Sequence, residues 1–324
     1  MTEGVTRWAM IGTGGMALNI IRDFHATENV ELTTVVSRSA ENGAKFAAEW
    51  NIPNVISDYE DLWASDDIDV VYIATPHPSH FDLVKSAIKA GKHVLVEKPI
   101  TMTADQAREL ADLAKAAEVF LMEAVWTRFN PSIRKIQELV AAGAIGTVRH
   151  VEASFGYPFP PDPESRMWKP ELGGGTTLDQ GVYTITIPYL IWGKPSSIVA
   201  RGSLSDAGVD AEAAVLLGFP GGEQAQLSTS MTAFLPMTAA ICGSGGQINI
   251  ASPFWATEGF RLLKTDLTSE DFTFPKEGAG YVPMLRAVGE AIADGRLEHE
   301  LLPLSETIEV MEIMEEVIRQ IKEQ

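Results

Sequence analysis

The chain has 324 residues, of which 45% are hydrophobic and 21% charged, with 25 Lys and Arg against 44 Asp and Glu and a net charge of −19. That length points to about two domains, and the composition excludes a disordered chain, a collagen or a small disulfide scaffold. The acidic balance argues against nucleic acid and anionic membranes as partners, because both are polyanions.

A small anionic ligand in a local basic pocket remains compatible with that charge. The single cysteine, Cys242, reads as a buried spectator rather than a nucleophile. No run of about 18 apolar residues occurs, and the opening Met1–Trp8 segment lacks an apolar leader, so a cytoplasmic location is expected.

In chain order, the first third alternates two patterns. Short, almost wholly apolar runs at 8–11, 32–37, 70–74, 93–96 and 119–122 predict strands buried on both faces. Segments 17–24, 40–50, 81–90 and 104–117 between them carry helical periodicity. This alternation predicts a parallel sheet with right-handed crossovers. Ser39 and Thr103 are expected N-caps and Gly91 a helix stop.

After about residue 125 the pattern changes. Asn130-Pro131 opens an amphipathic helix through Val140, and longer strand-like runs follow at 148–155, 197–202, 212–218, 225–231, 238–243 and 247–251. Several of these alternate polar and apolar residues, as a sheet with one differently covered face does. Helices are predicted at 284–294 and 305–321, the latter with an acidic, solvated face. Between Tyr157 and Gly175 lies an irregular segment rich in proline, glycine and aromatics, which reads as a folded functional loop.

Directly after the first strand run comes Gly12-Thr13-Gly14-Gly15-Met16-Ala17. Its first glycine suits a tight turn, its second admits a pyrophosphate to the backbone, and small Ala17 allows close helix–strand packing. The helix start then offers N–H groups and positive dipole to phosphates. Cofactor choice is read at the end of the second strand, where Val36-Ser37-Arg38-Ser39 has no acid for a ribose 2′-hydroxyl. Ser37 and Arg38 instead suit a 2′-phosphate, which favours NADP over NAD. An exposed loop cation is the other reading of Arg38.

Two further loops follow strand ends, where ligands bind in open α/β sheets. Thr75-Pro76-His77-Pro78-Ser79-His80 supplies candidate cofactor contacts at Thr75, Pro76, His77 and His80, with a purely structural histidine as the alternative at each. Glu97-Lys98-Pro99 ends another strand, and a charged pair there is costly to bury without partners. Lys98 has the character of a tuned catalytic lysine, and a surface salt bridge is the competing explanation.

These motifs together resemble the Gfo/Idh/MocA oxidoreductases, and the resemblance covers nearly the whole chain. Its markers are the glycine turn, Ala74-Thr75-Pro76, Glu97-Lys98-Pro99, and the run from Gly173 to Tyr183 that contains Asp179. The resemblance implies a Rossmann dinucleotide-binding domain at 1–124, and a substrate-binding and oligomerisation domain at 125–324 built on a large open, mostly antiparallel sheet. It implies that Glu97 lies near the cofactor ribose and Lys98 near the nicotinamide, and it suggests a cis Lys98–Pro99 bond. Many members carry His where this chain has Tyr183. The tyrosine, with Trp126-Thr127-Arg128-Phe129 and Trp168, is similar to the dimeric dihydrodiol dehydrogenase and NADP-dependent D-xylose dehydrogenase branch.

The implied reaction is reversible hydride transfer between nicotinamide and a carbinol carbon of a sugar, polyol or dihydrodiol. Asp179 and Tyr183, four apart on a helix, share a face. Tyr183 is the expected acid/base, Lys98 stabilises the developing alkoxide, and Asp179 orients a hydroxyl or Lys98. Lys98 as the proton donor is the rival assignment. Trp126, Arg128, Phe129, Trp168 and Trp255 are the expected substrate contacts. The scattered histidines and lone cysteine predict no metal. A homodimer or larger assembly is expected. The competing functions are a non-catalytic NADP-binding regulator, an anhydrosugar reductase and an inositol-type dehydrogenase.

Overall fold

The computed structural model describes residues 4–324. By its internal contacts the chain forms two compact units. One takes in the chain up to Trp126 together with Lys276–Thr307, and the other Thr127–Pro275 together with Ile308–Gln324. The chain therefore returns to the first unit late, which a division at 124/125 does not register.

The first unit runs β1 (Thr6–Ile11), α1 (Gly15–Ala26), β2 (Val30–Val36), α2 (Ala40–Trp50), β3 (Asn54–Ile56), α3 (Tyr59–Ala64), β4 (Val70–Ile73), α4 (His80–Lys89), β5 (His93–Val96), α5 (Ala104–Ala117) and β6 (Leu121–Glu123). Its six-stranded sheet has the order β3-β2-β1-β4-β5-β6, and every pairing is parallel. Strand order reverses between β1 and β4, the position at which doubly wound sheets open a ligand crevice. Every residue of β4 is buried, as a strand covered on both faces requires. Ser39 accepts from Asn42 N and Thr103 from Gln106 N, so both expected caps form. Gly91, at φ +69°, follows the end of α4 in the left-handed region.

The second unit begins with α6 (Pro131–Ala141), whose cap Asn130 accepts from Ser132 N at 2.8 Å with proline at the first turn. Its strands are β7 (Val148–Gly156), then, after α7 (Val182–Trp192), β8 (Ser197–Leu204), β9 (Asp210–Gly218), β10 (Gln224–Ser230), β11 (Ala239–Gly243), β12 (Gly246–Ile250), β13 (Gly259–Lys264) and β14 (Ser269–Thr273). They form an open eight-stranded sheet in the order β14-β13-β12-β11-β7-β10-β9-β8. Only β7 and β10 pair in parallel; the remaining ladders are antiparallel. Helix α7 lies on one face against β7 and β10. It is apolar on all sides and buried from Val182 to Tyr189, as a helix enclosed by its unit must be.

Helix α8 (Val282–Ala293) belongs to the first unit, where it packs on α1, β1 and β2. The chain closes with α9 (Leu304–Lys322). No helix among the described residues is long and apolar enough to cross a membrane. Strands β3, β13 and β14 and helix α3 are elements that the sequence patterns did not single out.

Candidate active site

At the end of β1 the backbone turns at Gly12 with φ +108°, a conformation that side chains resist. A Cβ there would also meet the Ala74 carbonyl oxygen at 3.1 Å, so the turn after β1 and the loop after β4 approach as closely as glycine permits. Gly14 caps α1 without any side-chain bond, and the first turn holds no acidic residue. A Cβ at Gly14 or Gly15 would meet nothing within 4 Å. The helix start is thus an uncapped set of N–H groups facing open space, which fits a dinucleotide pyrophosphate. Thr13 and Met16 flank this turn half-buried, and Ala17 is fully buried behind it.

At the end of β2, Ser37 N is bonded to the Ile56 carbonyl at 3.0 Å. Gly43 allows α2 to close on this edge, since a Cβ there would lie 3.2 Å from Ser37 Cβ. Ser39 is committed to capping, which leaves Ser37 and exposed Arg38 as the polar tip of the strand. That pair fits a 2′-phosphate.

The loops after β4 and β5 are tied together. Buried His80 places Nδ1 2.8 Å from the Pro99 carbonyl and Nε2 2.9 Å from the Thr75 carbonyl. Ser79 Oγ donates to Thr75 Oγ1 at 2.7 Å. His77 is buried, with its ring centroid 5.7 Å from that of His80, and Pro76 is exposed. Glu97 is buried and accepts from the Tyr72 hydroxyl at 2.6 Å, which satisfies one of its oxygens inside the sheet. Glu123, ending β6, accepts from Ile100 N at 2.9 Å. Half-buried Lys98 stands between these anchors, and Lys98–Pro99 is cis. Tyr72 is a support that motif reading missed; its signal was a phenol at a position otherwise apolar.

In the second unit one π-helical turn, Thr177–Gly181, leads into α7. Such turns occur often at functional positions. This one carries Asp179, and Tyr183 follows in the first turn of α7. Asp210, buried at the start of β9, accepts from Thr177 N at 2.7 Å and so caps the first residue of the turn. Burial pushes the Asp210 carboxyl above its ordinary range, against the bonds from Thr177. A Cβ at Gly175 would collide with Asp210 Oδ1, so the glycine run before the helix makes room for this carboxylate. Asp179 accepts from Arg166 Nη2 at 2.9 Å.

Tyr183 is 7% exposed, with its ring centroid 6.0 Å from Phe155 and 5.9 Å from Trp255. Phe155 and Trp255 stack at 3.7 Å with 5° between planes. The Trp255 carbonyl is held by Thr127 Oγ1 at 2.8 Å. Trp255 therefore lies beside Tyr183, together with half-buried Phe155, which the sequence reading passed over because it shares a face of β7 with Val151 and Ala153. The other expected substrate contacts have packing partners. Arg128 lies over the Tyr189 ring at 5.5 Å, and Phe129 is buried. Trp126 belongs to the first unit and packs on Tyr281 at 4.4 Å. Trp168 bonds the Pro160 carbonyl at 2.9 Å and packs with Phe159 on Met167, Ala211 and Met231.

A parallel sheet of this order, with a bare helix start at its switch point, defines a dinucleotide-binding protein. The family model described as "Oxidoreductase family, NAD-binding Rossmann fold" matches residues 6–125, and that of the GFO/IDH/MocA C-terminal domain matches residues 133–249. The chain belongs to the GFO/IDH/MocA oxidoreductase family, as its motifs anticipated. It is 35% identical to a trans-1,2-dihydrobenzene-1,2-diol dehydrogenase of Xenopus laevis over 98% of both chains. It is 33% identical to a D-xylose 1-dehydrogenase (NADP(+)) of Hypocrea jecorina, over 97% of this chain and 91% of that one. Among solved structures it is similar to KijD10, a 3-ketoreductase from Actinomadura kijaniata in complex with NADP, with TM-score 0.88, 26% identity and 98% of both chains covered.

Proposed function

We propose that this oxidoreductase is an NADP-dependent dehydrogenase that interconverts a carbinol and a carbonyl on a sugar, polyol or dihydrodiol. The observation that carries the reading is the bare α1 start behind Gly12, with no acid in its first turn. Ser37 and Arg38 at the tip of β2 support the 2′-phosphate form of the cofactor. NADP, when bound, accepts or supplies a hydride at nicotinamide C4. Thr13, Gly14, Gly15 and Met16 bind the pyrophosphate, and Thr75, Pro76, His77, His80 and Glu97 shape the remaining cofactor contacts.

Tyr183 exchanges the substrate hydroxyl proton: the phenol donates during reduction and the phenolate accepts during oxidation. Lys98 stabilises the developing alkoxide through a charge-assisted hydrogen bond. Asp179 orients the substrate hydroxyl. The stacked Phe155–Trp255 pair beside Tyr183 supports a flat ring as substrate, which describes both a sugar face and a cyclic diol. Trp126, Arg128, Phe129 and Trp168 are the further candidate substrate contacts, each also held by packing within its own unit.

The assembly we infer is a cytoplasmic homodimer. Its support is the exposed pair Val199 and Leu216, 58% and 39% exposed and directly opposite each other on β8 and β9. The test is Tyr183→Phe assayed by absorbance of reduced nicotinamide against aldoses, polyols and dihydrodiols. The variant is expected to lose about 10²–10⁴-fold in kcat/KM. A kcat/KM unchanged across pH would remove Tyr183 from proton transfer. Wild-type protein that binds NADPH but turns over no substrate would instead support a regulator.

A further inference from the structure

Arg166 appears in none of the motifs, yet the irregular loop before the π turn is built to hold it. The loop backbone closes on itself: Gly175 N bonds the Met167 carbonyl at 3.0 Å and Gly174 N bonds the Lys169 carbonyl at 2.9 Å. A Cβ at Gly174 would strike the carbonyls of Arg166, Met167 and Lys169 at 2.9, 2.6 and 2.8 Å, so this wrapping requires glycine. Met167 is buried against Ala211 and Met231, and Trp168 anchors to Pro160. The two basic side chains of this turn point to different partners. Lys169 pairs with exposed Glu164 in the same loop, whereas Arg166 crosses to Asp179 on the π turn. The Asp179 side chain is only 16% exposed, so its charge is not left to water.

We propose that Arg166 is a positioning residue for the oxidoreductase reaction: its guanidinium sets the orientation of the Asp179 carboxylate one turn before Tyr183. The proposal rests on Asp179 and Tyr183 serving the reaction as described above. An aspartate χ2 is a broad, two-fold torsion, so a carboxylate keeps one orientation only if a partner holds it. A planar guanidinium does this with a directed N–H bond to Oδ1; an ammonium supplies charge without that geometry. The 157–175 loop thereby becomes a working part of the catalytic helix rather than a surface excursion.

The test is a double-mutant cycle on the full-length enzyme with NADP and whichever of D-xylose or the trans-dihydrodiol is turned over. Arg166→Ala should lower kcat about tenfold to a hundredfold, the range for loss of a charge-assisted hydrogen bond, with the NADP dissociation constant unchanged within about twofold. In the Asp179→Asn background the same change should cost nothing further. Added guanidinium ion at tens of millimolar should restore part of the activity to Arg166→Ala and none to Asp179→Asn, a result that a merely structural arginine would not give. If Arg166→Ala does not fold, Arg166→Lys and Arg166→Gln carry the test, with Lys expected to retain more kcat than Gln. Wild-type kcat in Arg166→Ala beside a crippled Asp179→Asn overturns the proposal alone, as does full additivity of the two changes. Wild-type kcat in Asp179→Asn removes the underlying assignment and the proposal with it.

Discussion

Asp210 offers the sharpest test of how the second unit holds its reactive helix. Its carboxylate is 3% exposed and accepts from Thr177 N at 2.7 Å. Removing the acceptor in Asp210→Ala leaves a buried N–H without a partner, a loss of about 1–3 kcal/mol. At roughly 2–4 °C per kcal/mol for a unit of this size, the melting temperature should fall by about 2–12 °C. Asp210→Asn keeps an oxygen for Thr177 N and removes the charge, so it separates the bond from the ionisation. Burial raises the folded-state carboxyl above its unfolded value, so the native state favours the proton. The stabilisation from that proton is complete below the unfolded value of about 4 and is lost as pH rises through the higher folded value. Relative to wild type, Asp210→Asn should therefore gain stability as pH rises from about 4 toward 8. Thermal unfolding of the three proteins across that range is the assay. A progressive loss of Asp210→Asn stability relative to wild type with rising pH would refute the reasoning, because it would show the buried group preferring its ionised form.

Gly12→Ala should weaken NADPH binding at least tenfold and lower stability, because φ +108° and the Ala74 carbonyl at 3.1 Å leave no strain-free place for a methyl; strained backbone of this kind costs about 1–3 kcal/mol. Gly14→Ala, with φ −84° and open space around it, should keep the melting temperature while still weakening NADPH in a fluorescence titration. Equal losses of stability in both would contradict the geometry. Arg38→Ala should reduce the NADP-over-NAD preference in kcat/KM about tenfold to a hundredfold, the loss of one charge-assisted contact to a phosphate. An unchanged preference defeats the 2′-phosphate assignment.

The first unit was legible because its physics is local and repetitive. Strands buried on both faces, such as β4 and β5, read as unbroken apolar runs, and Ser39, Thr103 and Asn130 announced their helices through capping chemistry. The elements that escaped lack such signals. Strand β3 has three residues, and none of them is fully buried. Strand β14, Ser-Glu-Asp-Phe-Thr, is a polar edge that pairs only with β13. The π turn escaped for a different reason: five residues carry no period, and what caps the start of the turn is Asp210, 33 positions away. Motifs singled out Asp179 and Tyr183 because the residues themselves carry chemistry. Arg166, Phe155 and Tyr72 meet their partners only once the chain folds, and no spacing in the chain announces those partners.

The late return of the chain to its first unit bears on how the protein can be made and cut. Leu121 N, on β6, bonds the Leu297 carbonyl at 3.1 Å. A fragment ending near residue 124 would lack α8 as well, and so would leave ribosome or cloning vector with a bare sheet margin inviting self-association. During synthesis, the half begun first must wait unfinished while some 150 intervening residues emerge. Excising the nucleotide half as a stand-alone reagent therefore calls for splicing residues 276–307 back onto it, not for a single stop codon.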